Sequence, residues 1–324
     1  MIPWVKDIAR KNDSSGHALY IMKDGKTVLE HYGGYHSFEP AAQEVKATSR
    51  FNIASARKSY IALVIAYALY DRLLELDRPL EDYMEESNPV FSGVSIRHLL
   101  THTHGIGEGG EGLYTEFTPG ENWSYKNVGV DTLAHLVMEM YGATISSFLQ
   151  ERIFDQLNWK ETGWENEDSP QLVKIISSRD EKALNGLHAD CDGSRKNLFV
   201  SARELAWWGQ LHLDKGKVGN RQIVPEEVVN LATSIHTPES LLDELPRNGA
   251  FWYVQDIPRM KSEIGDAVPA GSYQILGVTG PTILVIPKYQ IVAVKMYNKR
   301  YNYGGADYLR YLKEFSNRVA DACT

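Results

Sequence analysis

The spacing of apolar residues changes character twice along this chain. Residues 2–12 (IPWVKDIARKN) predict a short helix. HALYIMKDGKTVLEHYGGY then reads as two strands joined at Asp24-Gly25, a dipeptide suited to a tight hairpin turn. Next comes FNIASARKSYIALVIAYALY, residues 51–70, in which Ser55 opens a helix whose body, IALVIAYAL, is apolar on nearly every face. Such a helix belongs in the interior.

From residue 77 to about 219 the pattern is helical and interrupted by loops. The pieces are SIRHLLTHTHG, VGVDTLAHLVMEMYG, SSFLQERIFDQL and SARELAWWGQLHLDKG, with a glycine-rich loop at 105–112 after the first, and several of them end on Gly, as helix C-termini often do. Pro225 opens another helix, PEEVVNLATSIH, after which GAFWYVQ, SYQIL, TILVIP and QIVAVKMYN read as strands. ADYLRYLKEFSNRVADA closes the chain as a helix. Strands at both ends with helices between them predict an α/β (α+β) fold: an antiparallel sheet domain built from residues 1–75 and 235–324, and an inserted all-helical domain at 76–234. The site is expected in the cleft between them, with the Ser55 helix at the seam.

Composition narrows the function without naming it. With 324 residues, 43% of them hydrophobic and 23% charged, the chain can bury a large core and shows no disorder-prone bias. A net charge of −8 argues against a phosphate-binding surface, so no nucleic-acid partner is expected. The first residues lack a basic segment followed by an apolar run of about 7–15 residues, and the longest apolar run, 61–70, is half the ~20 needed to span a bilayer. No membrane partner is expected, and a cytoplasmic location is. Cys191 and Cys323 lie far apart without metal-type spacing and read as free thiols.

Ser55 and Lys58 share one face of a helix, three residues apart. Two readings follow: Ser55 caps the helix, or it is a nucleophile with Lys58 as proton partner. S-x-x-K alone does not choose, since about one chance match is expected in a chain of this size.

Further segments bear on the choice. FNIASARKSY resembles the nucleophile segment of the penicillin-recognising serine hydrolases, the group of class C β-lactamases, D-alanyl peptidases and related esterases and amidases. SIRHLLTHTHGI is similar to that family's R-H-L-L-T-H-T-S-G segment, and FTPGENWSYKN to its P-G-x-x-x-x-Y-x-N segment. IFDQLNWKETGW and NLFVSARELAWWGQLHLDKG resemble two later segments, in the family's order. The resemblance implies a serine β-lactamase-like fold with Ser55 as nucleophile, Lys58 and Tyr125 as proton carriers, and Asn127 on the substrate's amide or on Lys58. It implies no cofactor and no metal. For Tyr125 the expectation is a phenol lowered by adjacent ammonium groups.

The chain also departs from that pattern. Counting back from GVTGPTILVIP places Ser272-Tyr273-Gln274 where the family carries K-T-G or H-x-G, so neither lysine nor histidine is available there for a carboxylate. By the same count the oxyanion donors are the backbone N–H groups of Ser55 and Ile275, with Tyr273 and Gln274 as specificity residues or plain strand residues. His98, His102 and His104 form H-x-x-x-H-x-H, a zinc-like spacing more simply explained as a helix end and turn, and GEGGEG at 107–112 reads as a flap near the cleft. The expected function is hydrolysis, through an acyl-enzyme, of a small-molecule ester, amide or peptide-like substrate, esterase or amidase ahead of β-lactamase or D-alanyl peptidase. The reading from another class is a catalytically silent binding or sensor protein of the same fold. Neither the natural substrate nor the oligomeric state is legible.

Overall fold

The computed structural model describes residues 1–85, 88–300 and 307–322. Helix α1, Ile2–Lys11, has a proline in its first turn and buries Trp4, Val5, Ile8 and Ala9 along one side. Strands β1 (Gly16–Lys23) and β2 (Lys26–Gly34) follow. Asp24 and Gly25, at φ 51° and 70°, supply the two positive values that a right-twisting hairpin turn requires.

Strand β3 (Arg50–Asn52) leads through a 3-10 turn, Ala54–Arg57, into α2, Lys58–Tyr70. Every residue from Lys58 to Ala68 is buried, so α2 is a central helix as its all-round apolar sequence requires. The chain then forms α3 (Ile96–Leu100), the hairpin β4 (Ile106–Gly109) and β5 (Gly112–Thr115), and α4 (Val128–Tyr141), which ends on Gly142 in the left-handed region. Helix α5 (Ile145–Leu149), a wide turn at Gln150–Phe154 and α6 (Asp155–Leu157) precede the strands β6 (Thr162–Trp164) and β7 (Leu198–Ser201). Helix α7 (Ala202–Leu213), the short pair β8 (Lys217–Val218) and β9 (Arg221–Gln222), and α8 (Glu226–Thr233) complete the middle. The last part supplies β10 (Tyr253–Val254), β11 (Tyr273–Leu276), β12 (Thr282–Ile286), β13 (Ile291–Tyr297) and α9 (Tyr308–Asp321).

The main sheet has the order β10-β11-β12-β13-β1-β2 and is antiparallel throughout. It is closed by pairing the first strand with the last, from His17 opposite Tyr297 to Lys23 opposite Ile291. This is the expected antiparallel sheet made by both ends of the chain. Its two faces bury separate cores. Tyr20, Met22, Ile283, Val285, Val292 and Val294 pack with α2 and with Trp208 of α7. Leu19, Leu284, Ile286 and Ala293 pack with Trp4 and Val5 of α1 and with Phe315 and Val319 of α9. Strand β13 is buried along its whole length, which is why its sequence, IVAVKMY, does not alternate.

The middle of the chain is predominantly helical but not wholly so. β7 and β6 extend a second sheet from β3, in the order β3-β7-β6, and the glycine-rich stretch pairs as β4 with β5 where a loop was expected. Helix α7 lies on the main sheet against β1, β12 and β13. Short strands of three or four residues escape a pattern search because their periodicity has no length over which to show.

Candidate active site

The N-terminal end of α2 is held by Asn52. Its side-chain oxygen accepts from the Ala54 N–H at 2.9 Å, its amide donates to the Lys196 carbonyl at 2.8 Å, and its own carbonyl accepts from Thr279 Oγ1 at 2.9 Å. Ala54 adopts φ 45°, a conformation that side-chain-bearing residues avoid and that persists where the surroundings impose it. The 3-10 turn that follows carries Ser55. Its first bond runs from the Ala56 N–H to the Ile53 carbonyl at 3.0 Å, which leaves the Ser55 N–H ahead of the helical ladder. The capping reading of Ser55 finds no bond behind it: neither the turn nor α2 has a side-chain cap, and α2 proper starts at Lys58.

Lys58 is 1% exposed, and its Nζ donates to Tyr125 Oη and stands 3.7 Å from the centre of that ring. Burial, then the neighbouring Arg57 and then Lys196 hold its amine well below the usual lysine range. Arg57 is itself buried, with Asp131 3.9 Å away and with its Nε and Nη1 unpartnered. Tyr125 moves opposite to the expectation. Burial pushes its phenol up to about 12, with the Ser55 hydroxyl pulling it down, Glu263 raising it and Arg57 lowering it. The ammonium that was to lower it is, on Lys58, the group that burial makes neutral. Tyr125 as a residue is 41% exposed, and its ring lies tilted against His102 with the centroids 4.7 Å apart. His102 and Phe251, 5.6 Å apart, also adopt positive φ, 59° and 61°, so with Ala54 three strained residues surround the site.

Ser55, Lys58 and Tyr125 line a cavity of about 260 Å³ together with Trp123, Phe251, Tyr253, Glu263, Ile275, Leu276, Gly277, Val278 and Tyr308. A larger cleft of about 580 Å³ beside α7 contains no Ser, Thr, Cys or His.

The wall opposite Ser55 is β11, and its ladder sets which backbone N–H groups face away from β12. Gly277 N–H donates to the Pro281 carbonyl, and the Ser272 carbonyl accepts from Gln255 N–H on the other edge. Backbone groups alternate along an antiparallel strand, so odd residues bond β12 and even residues face the β10 edge. β10 pairs no further than Gln274. The N–H directed past its end toward the cavity is that of Leu276, and the Ile275 N–H is turned toward β12. Gly277 then brings this wall against the turn: a Cβ there would lie 2.2 Å from the Ile53 carbonyl oxygen.

Tyr273 and Gln274 also lie outside the cleft. Tyr273 is buried with its ring 5.2 Å from Trp252, Ser272 is fully buried, and Gln274 Nε2 donates to the Glu263 carbonyl at 3.0 Å. None of them lines the cavity. Asn127 is also absent from the lining; it precedes α4, and its Oδ1 is buried without a partner. Nothing in SEIGD marked Glu263, whereas Arg57 stood inside the quoted SARK.

The three histidines do not form a ligand set. His98 Nδ1 accepts from the Ser95 N–H, His104 Nδ1 accepts from the Ile106 N–H, and His102 lies in the aromatic stack. Among the described residues no three His, Cys, Asp or Glu are grouped to hold a metal, and no helix is long and apolar enough to cross a membrane. Cys191 is a free thiol, and Cys323 lies outside the described residues.

With this geometry in view, comparison with known proteins is informative. Residues 4–316 match the family model described as Beta-lactamase. The chain is 38% identical to an uncharacterized protein of Alkalihalophilus pseudofirmus over 97% of this chain and 93% of that one. It is 26% identical to a D-aminopeptidase of Brucella anthropi over 48% of this chain and 34% of that protein. In structure it is similar to EstCE1, a hydrolase with promiscuous acyltransferase activity, with a TM-score of 0.74 at 17% identity and 98% coverage of each chain.

Proposed function

The chain belongs to the beta-lactamase family, and on that footing we propose that it is a serine hydrolase that forms an acyl-enzyme on Ser55 and cleaves an ester or amide bond. The observation that carries this reading is the meeting of Ser55, the buried Lys58 amine bonded to Tyr125, and the Tyr125 phenol in one cavity, with burial holding that amine well below the usual lysine range. A serine hydroxyl attacks a carbonyl only if its proton has somewhere to go. Lys58 takes it. The Tyr125 phenol, protonated at neutral pH and bonded to Lys58, passes a proton on to the leaving group. The oxyanion that forms is received by the N–H groups of Ser55 and Leu276. Water then releases the acyl group by the same steps in reverse.

Esterase or amidase activity is favoured over β-lactamase activity. Among the described lining residues the only basic side chain is Lys58, already spoken for as the neutral base, and the acidic Glu263 shares the cavity, so a substrate carboxylate has no counter-charge. The test is hydrolysis of p-nitrophenyl acetate: an initial burst in the wild type that disappears in Ser55→Ala supports the mechanism, and equal activity in both proteins removes it.

A further inference from the structure

The proposed chemistry makes no use of Glu263. It lies in the loop between β10 and β11, is 9% exposed, and lines the cavity that holds Ser55. Its Oε1 accepts from Tyr308 Oη at 2.7 Å, and the Tyr253 hydroxyl donates to the same carboxyl. Its backbone is fixed as well, the carbonyl by Gln274 Nε2 at 3.0 Å and the next N–H but one, of Gly265, by Ser316 Oγ at 2.8 Å. Burial raises its carboxyl above the usual range, and the Tyr308 and Tyr253 hydroxyls, then Lys58 and Lys295, offset part of that rise; among the described residues it makes no ion pair. A carboxylate kept in a cavity, oriented by two hydroxyls and paired with no cation, is costly to desolvate unless something charged arrives.

The rest of the cavity shows what would arrive. Trp123, Tyr125, Phe251, Tyr253 and Tyr308 line the same cavity as the carboxylate with aromatic rings. Ring faces attract cations, and an aromatic cage completed by a carboxylate is chemistry suited to an alkylammonium group. The volume, about 260 Å³, is that of a small-molecule site, so the group and the reacting carbonyl belong to a small molecule.

We propose that the substrate is a small ester or amide bearing a protonated or quaternary amine, which sits in the ring cage against Glu263 while its carbonyl faces Ser55. This rests on the serine-hydrolase reading and names its substrate class. Glu263 acts in binding and positioning and exchanges no proton with the reacting atoms.

Two isosteric pairs test it, each exchanging a charged nitrogen for carbon: β-alanine methyl ester against methyl butyrate, and acetylcholine against 3,3-dimethylbutyl acetate. In at least one pair the wild type should prefer the cation about 10- to 100-fold in kcat/KM, the range a charge-assisted contact spans, and Glu263→Gln should lower that ratio at least tenfold. Should Glu263→Gln fail to fold, judged by its melting transition, Glu263→Asp and Tyr308→Phe should each lower the ratio to an intermediate value. A wild type with no preference in either pair, or a preference that survives in the Glu263 variants, overturns the proposal. Loss of p-nitrophenyl acetate hydrolysis in Ser55→Ala is measured alongside. If that holds while the ratios fail, the substrate class is wrong and the hydrolase reading stands; if Ser55→Ala stays active, the hydrolase reading itself has failed.

Discussion

The two walls of the cavity are built on different principles. The α2 wall concentrates its side-chain chemistry in four consecutive residues and one partner, Ser55 to Lys58 with Tyr125, on a turn locked by Asn52 and strained at Ala54. The β11 wall contributes a backbone N–H and a loop carboxylate, while the strand's own side chains at 272–274 are buried behind it. On the proposed mechanism one wall decides whether a bond breaks, the other which molecule is held. Substitutions on the first should therefore collapse turnover on every substrate, and substitutions on the second should redistribute it.

The largest effect is expected for Lys58→Met, which removes the base and leaves the helix apolar: kcat on p-nitrophenyl acetate should fall by about 10³ or more. The same group sets the pH dependence. Because burial and Arg57 hold the amine low, kcat/KM should rise with pH through a Lys58 titration well below the usual lysine range and then level off, since the Tyr125 phenol keeps its proton up to about 12. An acid limb at the ordinary lysine value would contradict a buried neutral amine. Tyr125→Phe comes next, with about 10²-fold lost in kcat and little change in KM, since the ring that stacks on His102 stays in place.

The junction between the walls should give a smaller effect. Gly277→Ala pushes a methyl group into the Ile53 carbonyl, so the turn and the strand must part; a drop of about tenfold in kcat and a lower melting temperature are expected. The smallest effect belongs to Gln274→Leu, which releases the Glu263 carbonyl. KM for cationic substrates should rise a few-fold with kcat nearly unchanged. A large kcat loss there would blur the division between the walls.

The difference between the walls also explains what the sequence disclosed. The nucleophile segment is contiguous, and its helix is apolar enough to declare its burial, so Ser55 and Lys58 were readable together. The sheet was readable because TILVI and IVAVKMY are long and buried. Register is less legible: one residue of slip in β11 leaves the apolar composition unchanged while exchanging which of Ile275 and Leu276 turns its N–H away from β12. Glu263 was not readable because its importance lies in where a polar loop folds back. The Tyr125 shift was misjudged for a related reason. A sequence shows an ammonium near a phenol, but the burial that neutralises the ammonium and raises the phenol is a property of the packed structure.

The most direct test of the central claim is intact-protein mass spectrometry after brief exposure to p-nitrophenyl acetate and acid quench, with the adduct located by peptide mapping. A single acetyl group on the peptide containing Ser55, absent in Ser55→Ala and trapped for longer in Tyr125→Phe, is the result predicted. Rapid turnover with no acetyl on that peptide, or the same adduct in Ser55→Ala, would contradict it.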